Sequence, residues 1–153
     1  MIQIVLILIS LLFSYSDAIA GSSKNSYDTK TATVTIKTGE SAVVITAEVA
    51  DTMVKRSLGL MYRQQLKPTA GMLFIFPYSS NHVFWMKNTT ISLDLIYIDD
   101  SYKIVGIKEN TVPFSEKAIR IGRSSRYVLE INAGLVKKLG VAVDQTVSID
   151  GIK

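Results

Sequence analysis

The 153-residue sequence contains no cysteine. That absence excludes a disulfide scaffold, a thiolate zinc site, a cysteine nucleophile and a cysteine-anchored lipoprotein together. Histidine is nearly as scarce. His82 is the one imidazole, so a Ser-His-Asp triad would have to run through it, and a histidine-rich zinc site cannot be assembled. Arg-rich helical stretches and Lys/Arg runs of five or more are missing too, which removes the footprint of a nucleic-acid-binding chain. Long helical periodicities are also few, too few to supply the crossovers of a parallel α/β sheet. With three prolines and a 48% apolar fraction, what remains is an ordinary globular composition of one domain. No cofactor is expected from it.

The amino-terminal twenty residues read as a leader rather than as fold. Ile2 to Phe13 is an almost unbroken apolar run, and Ala18-Ile19-Ala20 supplies the small-x-small pattern before Gly21 at which a secretory leader is cut. An uncleaved anchor is the alternative, but a dozen apolar residues fall short of the ~20 that a spanning helix needs. The expected exported chain is therefore periplasmic or extracellular, without a transmembrane segment after cleavage. Losing the leader removes Asp17 and leaves 17 basic against 12 acidic residues, a net charge of +5. So mild a surplus fits a solvated surface, or weak attraction to anionic envelope polymers. Residues 21–30 (GSSKNSYDTK) form a polar arm, and residues 31–153 form the domain.

Alternation around Val34 and Ile36, a Gly39-Glu40 turn and the β-branched stretch Ala42 to Val49 predict a hairpin. A short helix over Thr52 to Leu58 follows, stopped by Gly59. Met72 to Phe76 (MLFIF), bounded by Gly71 and Pro77, reads as a buried strand. Val83 to Asn88, Leu93 to Ile98 and Lys103 to Ile107 are expected as further strands. Residues 110–125 form a long excursion of the kind that lines sites. Tyr127 to Ile131 is a strand, Asn132 is expected to cap a helix over Ala133 to Leu139, and Thr146 to Ile149 closes the chain. The fold class is α+β, mostly β: an antiparallel meander curled into a half-open barrel or sandwich with two short helices.

Three groups of residues point to chemistry. In Phe84-Trp85-Met86-Lys87-Asn88-Thr89, strand alternation puts Val83, Trp85 and Lys87 on one face and Phe84, Met86 and Asn88 on the other, so each face mixes apolar and polar groups. Such a strand lines a pocket or carries a satisfied polar network. Next, Asp94 alternates with Ile96 and Ile98, and Glu130 lies on the same strand face as Val128. A buried carboxylate needs a partner, for Asp94 Lys87, Asn88, Arg63 or a backbone amide. Asp94 and Glu130 could instead act as the acid and base of a glycan hydrolase, provided their carboxyls stand about 5 to 10 Å apart in an open cleft. Third, Met61, Met72 and Met86 with His82 and Trp85 offer soft ligands for Cu(I), although methionine at apolar strand positions is ordinary core filler.

Several blocks together resemble a known family. Gly59-Leu60-Met61-Tyr62-Arg63, Gly71-Met72-Leu73-Phe74, Phe84-Trp85-Met86-Lys87-Asn88-Thr89, Leu93-Asp94 and Val128-Leu129-Glu130 before Ala133-Gly134 are similar in order and spacing to the domain of unknown function 192 family. The likeness spans roughly Ala42 to Asp150. It implies a small β-rich domain, often exported, and no activity to inherit. Its motif positions fall on Arg56, Arg63, Trp85, Lys87, Asn88, Asp94 and Glu130, all but Arg56 among the residues already singled out, whereas His82 lies outside the blocks.

The expectation is a non-catalytic ligand-binding module with a pocket beside the Phe84–Thr89 segment. Arg63, Lys87 and Asn88 present donors there and Trp85 a stacking face, with Asp94 and Glu130 completing the polar set. An anionic or carbohydrate-like small molecule or envelope polymer is the expected ligand. The hydrolase built on Asp94 and Glu130 is the alternative. A Cu(I) site on His82, Met61 and Met86 is the third.

Overall fold

Alternating β-branched residues dominate the start of the domain, and they pair as the pattern dictates. In the computed structural model, which describes residues 29–152, strands β1 (Thr31–Thr38) and β2 (Ser41–Ala50) form an antiparallel hairpin around Gly39. The leader and residues 21–28 of the arm lie outside the described residues. Helix α1 (Met53–Leu58) begins where Thr52 accepts the Lys55 amide at 3.2 Å and ends at Gly59, whose φ of 50° suits glycine.

Strand β3 (Ala70–Ser80) runs past Pro77, but its ladder to β6 (Ser125–Asn132) is interrupted between Ile75 and Ser80. Proline has no N–H to give that ladder, so the strand bulges there. Strands β4 (Leu93–Ile98), β5 (Ile104–Lys108) and β7 (Val147–Asp150) and helix α2 (Leu135–Leu139) complete the domain.

The seven strands form one sheet in the order β5-β4-β6-β3-β2-β1-β7. The mostly β, α+β architecture with two short helices is as the sequence implied, and the sheet curls into a half-barrel. Its order is not a plain meander, and the β2–β3 pair is parallel, with α1 in the connection between them. At the open side the two edges are stitched by Ile104 N–H to Gln145 O at 3.0 Å and Val147 N–H to Tyr102 O at 2.8 Å. Val34, Ile36, Ile45, Leu73, Ile96, Ile98, Leu129 and Val147 fill the inside of the curl.

The second apolar cluster lies on the other face of the central strands. Met72, Phe74, Leu93, Leu95, Tyr97 and Val128 are covered there by Leu60, Met86 and Phe84. Residues 83–88 are therefore not the expected strand. Their one bridge is Phe84 to Ile119, and Met86 N–H donates to Ser115 O at 2.8 Å. A turn from Met86 to Thr89 (3.0 Å) and a φ of 54° at Asn88 end the extended run. The segment lies across the sheet as a cover, tied to the 110–125 excursion.

The second helix also starts later than expected. Asn132 stays in β6 and its amide donates to Leu66 O at 2.9 Å, while the left-handed Gly134 opens α2.

Candidate functional site

Alternation on β3 turns Met72, Phe74 and Phe76 to the outer face of the sheet, toward the covering segments. Register places Glu48 of β2, Met72 of β3, Glu130 of β6 and Leu95 of β4 in one row across that face. Above the row, α1, the Gly59–Met61 turn and residues 83–89 leave a cleft of about 300 Å³. Phe74, Phe76, Phe84, Leu60 and Met61 wall it, with Arg56 and Trp85 among the lining residues and Glu130 at the floor. Phe84 stands edge-on to Phe74 at 5.1 Å and to Tyr97 at 6.0 Å, which fixes the wall.

Glu130 is only 4% exposed, and no hydrogen bond or ion pair reaches its carboxyl among the described residues. Burial in apolar surroundings pushes its pKa up to about 8. The charged and titratable groups on the elements around it are already engaged or lie apart. Glu48, beyond Met72, is held by Arg63 at 2.6 Å. Tyr97 lies diagonally across the β4–β6 ladder, its buried hydroxyl without a hydrogen-bond partner; burial first and the Glu130 charge second push that hydroxyl upward. On α1 is Arg56.

The Arg56 guanidinium donates from Nη1 to Asp51 O at 2.7 Å and Ile75 O at 2.8 Å, and lies 5.4 Å from the Phe76 ring centre. Its Nε and Nη2 donors have no protein partner, and no carboxylate pairs with it, among the described residues. The cleft thus has an acidic pole, a cationic pole and aromatic walls.

The family's sequence profile, described as "Uncharacterized ACR", matches residues 34–149. The chain belongs to the domain of unknown function 192 family. The chain is 30% identical over 97 residues to the UPF0127 protein PH1112 of Pyrococcus horikoshii, covering 60% of this chain and 76% of that protein. Two crystal structures are similar to it. One, from Sinorhizobium meliloti and described as a proposed transcription regulator, is 38% identical with a TM-score of 0.78, over 81% of this chain and 97% of that one. The other, a protein of unknown function from Novosphingobium aromaticivorans, is 33% identical with a TM-score of 0.74, over 76% of this chain and 83% of that one.

Of the six residues expected from sequence to bind a ligand, Arg63, Trp85, Lys87, Asn88, Asp94 and Glu130, two line the cleft, Trp85 and Glu130. The others are held elsewhere. Lys87 pairs with Glu116 at 3.6 Å and lies 5.5 Å from the Trp85 ring centre, and the Asn88 amide donates to the Tyr62 hydroxyl at 2.9 Å. Arg63 is on Glu48.

Asp94 finds its partners in backbone amides: Oδ1 accepts from Asn110 at 2.8 Å and Oδ2 from Val136 in the first turn of α2 at 3.0 Å. It is fully buried and projects to the opposite face of the sheet from Glu130, since Glu130 is registered with Leu95, the residue after Asp94. The sheet therefore lies between the two carboxyls, and they do not form an acid/base pair in one cleft.

The soft-ligand candidates take ordinary packing positions. Met72 and Met86 are buried in the outer-face core, Met61 lines the cleft, and His82 is stacked on Phe76 at 3.5 Å. No cluster of three or more His, Cys, Asp or Glu able to hold a metal occurs among the described residues. Arg56 entered the sequence reading only through the family blocks. The alternation of Met72, Phe74 and Phe76 was the available sign of an aromatic wall.

Proposed function

We propose that this domain is a ligand-binding module that holds a small molecule with an anionic group and an apolar body in the cleft between α1, residues 83–89 and the outer face of β3 and β6. The observation that carries the reading is Arg56, which lines an aromatic-walled cavity while its Nε and Nη2 donors have no protein partner among the described residues. A planar fork of charged donors matches a carboxylate or phosphate oxygen pair. Phe74, Phe76 and Phe84 supply apolar contact, and Trp85, 51% exposed, supplies a stacking face. No catalytic step is assigned.

The longest helix among the described residues has six residues, too short to serve as a recognition helix in a major groove.

Trp85 is the single tryptophan and reports on the cleft directly. Hexanoate, hexyl phosphate, hexanol and a neutral oligosaccharide are titrated while its emission is followed. A saturable blue shift with the anions but not with hexanol, lost in Arg56→Gln with the fold intact by circular dichroism, supports the reading. An equal response to hexanol, or a response to the oligosaccharide alone, overturns the anionic assignment. No response to any of the four overturns the cleft itself.

A further inference from the structure

The cationic pole accounts for one end of the cleft and leaves the other unexplained. A carboxyl on the central strand of a sheet is costly to bury, and it is retained where something neutralises it or accepts its bond. Glu130 is 4% exposed, lines the cavity and has no partner among the described residues. Arg56 lines the same cavity yet spends its bonds on Asp51 O and Ile75 O, and no ion pair joins the two. The Phe74 and Phe84 rings line the same cavity, fixed edge to face. A buried carboxyl in a cleft walled by aromatic rings is the donor set that suits a positively charged nitrogen, through a charge-assisted bond to oxygen and attraction to the ring faces.

We propose that the floor of the cleft is a subsite for a protonated organic nitrogen, so that the ligand is a small zwitterion whose amine or quaternary ammonium meets Glu130 and the Phe74 and Phe84 rings while its anionic group meets Arg56. This rests on the ligand-binding reading above and adds the chemistry of the second end. Binding places the cation against an ionised carboxyl, so a proton held by Glu130 in the empty cleft is released to solvent on binding. Tyr97 is the titratable neighbour on the same face of the sheet, and its hydroxyl stays protonated throughout this range. Glu48 is paired to Arg63.

The test compares hexanoate, 6-aminohexanoate and hexylamine, a set in which the two charges are present singly or together, with Trp85 emission and thermal shift as readouts. Expected is a preference of about ten- to hundredfold for 6-aminohexanoate over hexanoate, abolished in Glu130→Gln. Affinity for 6-aminohexanoate rises from about pH 6.5 to about pH 9, below the ~10.4 of an alkyl amine, while that for hexanoate does not rise. That pH profile of the unaltered protein decides the matter if Glu130→Gln does not fold. Hexanoate binding as tightly as 6-aminohexanoate overturns the nitrogen subsite and leaves the anion-binding cleft standing. Hexylamine binding as tightly as 6-aminohexanoate keeps the subsite and overturns the anionic pole. No binding of any probe overturns both.

Discussion

Replacing Glu130 by glutamine removes an ionisable group from apolar surroundings at almost constant shape, and its effect on stability depends on pH in a defined direction. Below about pH 4.5 the carboxyl is protonated in both the folded and the unfolded chain, so the group adds no pH dependence there. Between that value and about 8, where the folded-state carboxyl titrates, the unfolded chain gives up the proton and the folded chain keeps it. Stability therefore falls as pH rises through this window and levels off above it. At 1.36 kcal/mol per pKa unit the wild-type protein loses on the order of 5 kcal/mol at most, a large part of the ~5 to 15 kcal/mol that holds a domain together. Glu130→Gln lacks that loss. The two proteins are expected within about 1 kcal/mol of each other near pH 4.5, with the variant more stable by several kcal/mol at pH 8 to 9. Urea unfolding followed by circular dichroism at steps from about pH 4.5 to about pH 9 measures it. The difference between the curves cancels other groups, including His82, whose pKa burial lowers. Parallel curves would refute the reasoning, because they would mean that the carboxyl is solvated or paired in the folded chain.

Two further substitutions test the frame that holds the site. Asp94→Ala leaves the Asn110 and Val136 amides without their acceptor and is expected to cost about 2 to 4 kcal/mol, with Asp94→Asn costing less; a urea-measured loss under about 1 kcal/mol would show that water replaces the carboxylate. Gly71→Ala places a Cβ 2.7 Å from the Glu130 carbonyl oxygen and 3.1 Å from Ile45 Cγ2. Forcing β3 and β6 apart there costs about 1 to 3 kcal/mol, read as a lower urea midpoint, and an unchanged midpoint would mean that the pair is looser than its register implies.

Local signals in the chain carried a good part of the fold. Thr52 and Gly59 bracket α1, and Gly39 turns the β1–β2 hairpin, because caps and turns depend on residues adjacent in sequence. Longer-range pairing is another matter. Residues 83–88 do alternate, with Phe84 and Met86 turned inward, yet their backbone partners come from a distant excursion and a left-handed Asn88 ends the run. Period-two patterning reports which side chains are covered, not whether a sheet or a loop covers them.

The candidate site shows the same division. Sequence by itself determined that Asp94 and Glu130 are carboxyls within apolar strands and that each would need an answer to its burial. It could not separate them, because a sheet with apolar packing on both sides offers two core faces with the same pattern. Tertiary structure decided that Asp94 meets backbone amides, one of them in α2, on one face, whereas Glu130 meets no partner among the described residues on the other. It also decided that Arg56 and Glu130 line one cavity. The physical reason is one of range: a side chain's polarity and its strand neighbours are written within a few residues. The partner that satisfies or abandons it is set by strand order and loop packing, which join positions as far apart in sequence as Arg56 and Glu130.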